Sequence, residues 1–234
     1  MSSGQGSPSV RGTLYIVGTP IGNMEDITLR ALRILREASL VAAEDTRHTG
    51  LLLARHEIRK PLVSYHEFNE AKRTPELLRQ LHEGRSVALV SDAGMPTVSD
   101  PGQRLIHAAI EAGVDVEVIP GVSAVTTALA GSGYGGGAFL FYGFLPHKGA
   151  QRRKILSRLA PLPYTVVLFE SPYRVLKCLH DMHELMGNRR VVVARELTKK
   201  FEEILRGDLE TVLKKLENRS IKGEITLVVE GARE

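Results

Sequence analysis

Residues 91–102 constrain the fold of this chain more than any other segment. These twelve residues are rich in Asp, Gly and Pro, and they follow an apolar run at 87–90 that is typical of a buried parallel strand. An apolar-periodic segment that predicts a helix comes next. A long polar loop at the carboxyl end of a strand is costly to bury, and it fits a ligand-binding loop at the edge of an α/β sheet. The alternative is an ordinary long turn.

Two further loops have the same surroundings. The apolar run 14–17 leads into the Gly/Pro turn 18–23, and the run before residue 120 leads into the Pro-Gly turn 120–124. The carboxyl ends of parallel strands meet at one edge of a sheet, so we expect the three loops to converge. None of them matches the dinucleotide pattern G-x-G-x-x-G or the phosphate loop that ends in Gly-Lys-Ser/Thr, which disfavours NAD and ATP as ligands.

Strand and helix patterns alternate through the first half, which predicts an α/β domain at 13–131 with a mostly parallel sheet and helices on both faces. Five glycines in 131–137 predict a Gly-rich linker at 132–138. Residues 139–234 predict a second α/β domain with a mixed sheet, and residues 1–12 a disordered tail. Predicted strands are 13–18, 39–43, 62–64, 86–90, 114–118, 139–142, 165–169, 191–194, 203–206 and 225–229; predicted helices are 28–37, 47–55, 74–83, 102–112, 122–131, 150–159, 172–186 and 208–217.

Composition excludes several classes of protein. Hydrophobic residues make up 43% and charged residues 25%, which is ordinary for a globular protein. No apolar run reaches the roughly 18 residues that a membrane helix needs. The single cysteine, Cys178, rules out an internal disulfide and is expected in the core, which makes a cytoplasmic protein the default. His66-Glu67 lacks the second histidine of H-E-x-x-H, so no metal site is predicted.

Charge is distributed unevenly along the chain. Residues 147–234 carry 18 Lys and Arg against 12 Asp and Glu, a net charge of +6, whereas the remainder has −2. This half is either a solvated surface or a face that meets a polyanion such as RNA. The chain has no Trp and no stripe of aromatic residues, which argues against a stacking platform for free single strands. The substrate-binding candidates in this half are Lys148, Arg152, Arg153 and Lys154.

Several polar residues at strand ends have two interpretations. Asp92 directly follows a strand, where its carboxylate can accept from a ligand amine or cap the local backbone. Ser123 can cap a helix or help the helix N-terminus bind a ligand carboxylate. The loop 43–49 holds two acids, an Arg and a His, and is a candidate for substrate contact and proton handling; alternatively, Asp45 caps the next helix and Arg47 pairs locally. Glu170, Arg195 and Glu196 form either an ion-pair network or a direct ligand site.

These segments together resemble one family. In chain order they are LYIVGTPIGN at 14–23, AEDTR at 43–47, YHE at 65–67, the loop 91–102, PGVSA at 120–124, GFLP at 143–146, FESPYR at 169–174 and ARELTK at 194–199. The ordered set is similar to that of the ribosomal RNA small subunit methyltransferase I family, in the tetrapyrrole methylase superfamily. The resemblance covers about residues 13–231.

The resemblance implies an enzyme that uses S-adenosylmethionine, with two α/β domains and the cofactor in the cleft between them. It also implies 2′-O-methylation of a decoding-centre cytidine in 16S rRNA, with the 30S subunit as the setting, and a homodimer. By position, the implied cofactor contacts are Pro20, Ile21, Asp92, Ala93, Gly94, Met95, Ser123, Ala124, Phe169, Arg195, Glu224, Ile225 and Thr226.

The ribose hydroxyl is a weak nucleophile and needs a group that takes its proton. Asp45, His48 and Glu170 are the candidates for that role, and Arg47 is the candidate for holding a phosphate. Two other functions fit the same fold: C-methylation of a tetrapyrrole precursor, and a ribosome assembly factor without catalysis. The basic second half and the 43–47 loop weigh against the first, and the intact cofactor loops weigh against the second.

Overall fold

The structure is a computed structural model that describes residues 12–233. The chain divides between Val122 and Ser123 into a first and a second unit. The tail predicted at residues 1–12 lies outside the described residues, apart from Gly12. No helix within the described range is long and apolar enough to span a bilayer.

The first unit alternates strands and helices, as its apolar periodicity predicts. Its elements are β1 (Thr13–Val17), a short 3-10 helix (Met24–Asp26), α1 (Leu29–Glu37), β2 (Leu40–Ala43), α2 (Thr46–Arg55), β3 (Leu62–Ser64), α3 (Glu70–His82), β4 (Val87–Val90), α4 (Gln103–Glu111) and β5 (Asp115–Ile119).

The five strands of the first unit form one parallel sheet in the order β3-β2-β4-β1-β5. Helices α1 and α2 pack on one face, with Leu35 and Leu53 in the core there. Helices α3 and α4 pack on the other face, with Leu81 and Leu105 in that core. The predicted mostly parallel sheet with helices on both faces is therefore confirmed.

The second unit has a mixed sheet, which is also confirmed. Its elements are α5 (Ala124–Ser132), β6 (Phe139–Phe144), α6 (Gly149–Leu159), β7 (Thr165–Glu170), α7 (Val175–Met186), β8 (Arg190–Arg195), β9 (Glu203–Asp208), α8 (Leu209–Leu216) and β10 (Ile225–Val229).

The strand order of the second sheet is β6-β7-β10-β8-β9, in which only β6 and β7 are parallel. Helices α6, α7 and α8 cover one face with a core that includes Leu156, Leu179 and Val212. Cys178 lies in this core with no exposed surface, as expected. Burial is the first cause that raises the pKa of its thiol, and the charge of Glu170 adds to it.

Helix α5 and the glycines after it belong to the second unit, whereas the sequence analysis ends the first domain at residue 131. The helix packs against β10 and β7. The Tyr134 carbonyl accepts a hydrogen bond from Thr165 Oγ1 at 3.1 Å, and the Arg206 guanidinium donates to the Gly131 carbonyl through Nε at 3.1 Å. The segment predicted as a linker at 132–138 therefore runs inside the second unit.

Helix α3 begins at Glu70, four residues before its predicted start, and Pro75 lies within it. The Thr74 hydroxyl donates to the Glu70 carbonyl at 2.7 Å and contacts the Tyr65 hydroxyl at 3.0 Å. These bonds brace the first turn. Pro75 is the sixth residue of the helix and lacks an N–H, so α3 loses one backbone hydrogen bond there.

Candidate active site

The five loops that follow the parallel strands lie along one edge of the first sheet. The chain leaves β2 towards α2 on one face and leaves β4 towards α4 on the opposite face. Because these two strands are neighbours, the sheet has a topological switch point between them. Ligands of open α/β sheets bind at such a point.

The loop after β1 is fastened to the loop after β4. The Thr19 N–H donates to the Gly94 carbonyl at 2.9 Å, and the Gly94 N–H donates back at 3.1 Å. The buried Thr19 hydroxyl also donates to the Ser91 carbonyl at 3.1 Å. Residues Pro20 and Ile21 are therefore held beside residues 92–95, as their joint prediction as one site requires.

The loops after β1 and β5 touch through their backbones. A Cβ added to Gly18 would lie 2.7 Å from the Cα of Gly121 and 2.7 Å from the Sδ of Met95. Contacts that short do not occur between real side chains, so only glycine fits here. The close approach joins a third loop to the first two.

Asp92 is tied to the loop after β2. Its Oδ1 accepts the Asp45 N–H at 2.9 Å, and its own N–H donates to Glu44 Oε2 at 3.5 Å. The Asp92 carboxylate therefore caps backbone, which is one of the two roles predicted for it. The N–H that it binds belongs to the loop after the neighbouring strand β2.

Asp45 and Arg47 have the structural roles given as the alternative for their loop, in which Asp45 caps the next helix and Arg47 pairs locally. Asp45 caps α2, because its Oδ1 accepts the Arg47 N–H at 2.8 Å, and it forms an ion pair with the Arg47 guanidinium at 3.2 Å. Hydrogen bonds from the Arg47 side chain and backbone lower the pKa of Asp45. A carboxylate with a lowered pKa is a poorer proton acceptor, so Asp45 is a weaker candidate than the sequence indicates. His48 is an exposed residue of α2.

Glu44 was not among the predicted catalytic residues, although it lies in the predicted loop. Burial raises the pKa of its carboxyl, and the charge of Asp92 raises it further. A backbone hydrogen bond and the electrostatic interaction with His66 act in the opposite direction without reversing the shift. Its position directly after β2, whose four residues are all buried, is the sequence signal that could have identified it.

In the second unit, the predicted cofactor residues lie together at one end of the sheet. Phe169 is paired with Thr226, and Ile225 is paired with both Glu170 and Arg195. The Phe169 ring packs against the rings of Phe141 and Phe144 at centroid distances of 5.0 and 5.5 Å. The second sheet therefore brings Phe169, Arg195, Ile225 and Thr226 to one end.

Arg195 and Glu196 belong to ion-pair networks at this end of the sheet. Arg195 Nε lies 3.2 Å from Glu203 Oε2, and Lys199 Nζ lies 3.0 Å from Glu196 and 2.8 Å from Glu224. Burial alone would raise the pKa of Glu196, but a backbone hydrogen bond from Glu224 and the Lys199 ammonium outweigh it and lower that pKa. The network interpretation of Arg195 and Glu196 thus accounts for their geometry.

Glu170 is a structural anchor and not an accessible proton acceptor, which corrects its prediction as a catalytic candidate. Its side chain is fully buried and accepts from Arg174 Nε at 2.7 Å and from the Ser171 N–H at 2.8 Å. A buried carboxylate paired in this way cannot reach a substrate hydroxyl.

Ser123 stands at the N-cap position of α5, but its side chain makes no capping hydrogen bond. Its carbonyl instead accepts the Thr127 N–H at 2.9 Å and the Thr126 hydroxyl at 3.2 Å. The capping interpretation of the Ser123 hydroxyl is therefore wrong. Ala124 is the first residue of the helix.

Comparison with known proteins decides the family. The model of the family described as Tetrapyrrole (Corrin/Porphyrin) Methylases matches residues 13–213. A protein of Thermotoga maritima called ribosomal RNA small subunit methyltransferase I is 49% identical over 220 residues, which cover 94% of this chain and 99% of the relative. A protein of the same name from Halalkalibacterium halodurans is 50% identical over 221 residues, 94% of this chain and 76% of the relative. The chain belongs to the ribosomal RNA small subunit methyltransferase I family of the tetrapyrrole methylases.

Solved structures of the tetrapyrrole methylases share this fold. A cobalt precorrin-4 methyltransferase superposes with a TM-score of 0.69 at 20% identity, covering 97% of this chain and 98% of the other. A uroporphyrin-III C-methyltransferase of Thermus thermophilus, complexed with S-adenosyl homocysteine, gives a TM-score of 0.66 at 22% identity over 93% and 97% of the two chains. The chain is thus a methyltransferase by family, with the two-unit α/β fold of that family.

The basic residues predicted to bind substrate in this methyltransferase do not form one surface. Arg152 is only 2% exposed, and its Nε donates to Asp181 Oδ2 at 2.7 Å. Arg153 pairs with both Asp181 and Glu184, at 2.8 and 2.6 Å. The prediction that Arg152 contacts substrate is therefore wrong, because α6 turns it into the core. Lys148 and Lys154 are exposed.

Proposed function

We propose that this chain transfers a methyl group from S-adenosylmethionine to the ribose 2′-oxygen of a decoding-centre cytidine in 16S rRNA. Membership of the family, at 49–50% identity over nearly the whole chain, carries the proposal. The rRNA and the enzyme would meet within the 30S subunit in the cytoplasm, with the enzyme as a homodimer.

The residues at the carboxyl edge of the first sheet fit a bound S-adenosylmethionine. Ser91 Oγ is buried without a hydrogen-bond partner and so offers an unused donor at this edge. Beside it, Ala93 has only a small side chain, and the Asp92 carboxylate can accept a hydrogen bond from an amine or hydroxyl group. When bound, the cofactor supplies an electrophilic methyl group on a positively charged sulfur.

We place the first-unit contacts at Pro20, Ile21 and residues 92–95. In the second unit the contacts would come from Ser123, Ala124, Phe169, Arg195 and residues 224–226. The Ser123 hydroxyl supports this assignment because it is not used as a helix cap. Arg47 is 90% exposed at its side chain, and its guanidinium has donors beyond those that Asp45 engages, so it can hold a substrate phosphate.

The decisive experiment measures methyl transfer to 30S particles and to naked 16S rRNA, followed by mapping of the modified nucleotide. We expect one modified ribose in the decoding centre. Methylation of a base, or of a tetrapyrrole precursor in place of RNA, would refute the proposal. Titration with S-adenosylmethionine by calorimetry tests the alternative of an assembly factor without catalysis, for which no binding is expected.

A further inference from the structure

Three neighbouring strands of the first sheet each bring one titratable side chain to the switch point. Glu44 directly follows β2, Asp92 is the second residue after β4, and His66 is the second residue after β3. These strands lie side by side in the order β3-β2-β4. The three residues are far apart in the chain, so only the parallel sheet brings them together.

Hydrogen bonds hold Glu44 against the loop assigned to the cofactor. Its Oε2 accepts the Asp92 N–H at 3.5 Å, while Asp92 Oδ1 accepts the N–H of Asp45 at 2.9 Å. These bonds hold the two residues together. Burial raises the pKa of the Glu44 carboxyl, and the charge of Asp92 raises it further.

His66 completes the environment of Glu44. Its ring interacts electrostatically with the Glu44 carboxylate, and its Nδ1 is buried without a hydrogen-bond partner. The backbone N–H of His66 donates to Asn69 Oδ1 at 2.9 Å, and this bond holds the loop after β3 in place. His66 thereby contributes one of the interactions that set the proton affinity of Glu44.

Asp45, the other carboxylate in this loop, is already used. It caps α2 and pairs with Arg47. Glu44, in contrast, is half-buried and receives one long hydrogen bond from a backbone N–H. Of the two carboxylates in this loop, Glu44 therefore has the environment that better suits a proton acceptor.

We propose that Glu44 accepts the proton of the ribose 2′-hydroxyl. This inference rests on the proposed function. As the ribose oxygen bonds to the methyl carbon, the carbon–sulfur bond breaks, its electron pair stays on the sulfur, and the hydroxyl proton passes to the Glu44 carboxylate. The atoms and charges then balance with no further reactant.

The test is single-turnover methyl transfer to 30S particles by the wild type, Glu44→Gln and Glu83→Gln across a pH series. Glu83 is an exposed residue at the C-terminal end of α3, which makes it a matched control for the loss of one charge. We expect Glu44→Gln to be slower by about 10²–10³-fold and Glu83→Gln to be unchanged. The wild-type rate should rise as Glu44 loses its proton, and Glu44→Gln should lack that rise.

Two measurements do not depend on activity. Calorimetry should give Glu44→Gln an affinity for S-adenosylmethionine within about threefold of the wild type. Carbon-13 NMR titration of labelled glutamates should show that the pKa of the Glu44 carboxyl is higher than that of free glutamate. In the Asp92→Asn variant the pKa of Glu44 should be lower than in the wild type. A role confined to structure would not produce the pH limb in the rate of methyl transfer, whereas the response to Asp92 tests the environment of Glu44.

Each outcome decides the inference. A Glu44→Gln variant that methylates within about threefold of the wild type would overturn it, as would loss of cofactor affinity equal to the loss of rate. If Glu44→Gln does not fold, the wild-type titration remains, and an ordinary or lowered proton affinity at Glu44 would overturn it. If the wild type itself methylates no small-subunit RNA, the proposed function fails, which is distinct from an active wild type with an equally active variant.

Discussion

Asp181→Ala should strongly destabilise the second unit, because it removes the counter-charge of a buried arginine. Asp181 Oδ2 accepts from Arg152 Nε at 2.7 Å and Oδ1 accepts from Arg153 at 2.8 Å, while Arg152 is 2% exposed. Removing the carboxylate leaves the Arg152 guanidinium buried without a counter-charge, which costs about 3–5 kcal/mol. Arg153 is 40% exposed and keeps Glu184 as a partner, so its contribution is at most about 1 kcal/mol.

Thermal and urea unfolding, both followed by circular dichroism, measure this effect. Arg153→Ala is the matched control, because it preserves the buried pair. A cost of 3–5 kcal/mol should lower the melting temperature by about 6–20 °C in a chain of this size. The control should lower it by no more than about 4 °C. A free energy of unfolding for Asp181→Ala within about 1 kcal/mol of the wild type would refute the reasoning.

The same pair predicts a dependence on pH. Burial alone would raise the pKa of Asp181, but hydrogen bonds from Arg153 and Arg152 outweigh it and hold the pKa below its ordinary value. The stabilisation is therefore fully present above the unfolded pKa of about 4 and is lost as the pH falls through the folded pKa. Asp181→Asn should flatten this acid limb of the stability curve, and an unchanged limb would contradict the assignment.

Asp92→Ala should weaken S-adenosylmethionine binding by about 10–150-fold in calorimetry, because one charged hydrogen bond is lost, and it should affect RNA affinity less. Unchanged cofactor affinity in a folded variant would contradict the assignment of Asp92 to the cofactor site. Reversing the charge of the exposed Lys148 and Lys154 together should reduce the affinity for 30S particles. The slope of log affinity against log salt concentration should become shallower by about one unit per lost phosphate contact. A wild-type slope in the double variant would place the RNA elsewhere. Gly18→Ala places a Cβ 2.7 Å from a neighbouring backbone and should cost about 1–3 kcal/mol in urea unfolding. Gly50→Ala is its control, because the added Cβ would lie 3.7 Å from Leu62 Cδ1, an ordinary contact distance. Equal stabilities of the two variants would refute the close packing of the loops.

The fold was predictable because its strands carry a local signal. Parallel strands buried on both faces appear as continuous apolar runs, such as 87–90, and each is followed by a Gly/Pro loop before an amphipathic helix. The predicted strand bounds differ from the observed ones by at most two residues. Helix α5 was assigned to the first unit because it follows β5 directly, as the other helices there follow their strands, whereas its contacts are with the distant strands β7 and β10.

Charge roles were less predictable because they depend on which face of a helix a residue occupies. Arg152, Arg153 and Lys154 are consecutive, yet α6 buries the first, half-buries the second and exposes the third. The apolar positions Leu156 and Leu159 lie one turn and two turns from Arg152 on the same face, which was the available signal. A buried acid on a helix 29 residues away then decides that the arginine is a structural residue.

The adjacent carboxylates Glu44 and Asp45 show why a motif alone does not assign a catalytic role. The helix N-terminus that follows them needs an acceptor, and Asp45, at the N-cap, takes that role with its pKa lowered by Arg47. The chain direction out of β2 leaves Glu44 at the sheet edge, where burial and Asp92 raise its pKa instead. Two neighbours of the same chemical type thus acquire opposite proton affinities from backbone geometry. Since proton transfer from a weak hydroxyl favours the carboxylate of higher pKa, the chemistry at this edge should depend on Glu44 rather than Asp45.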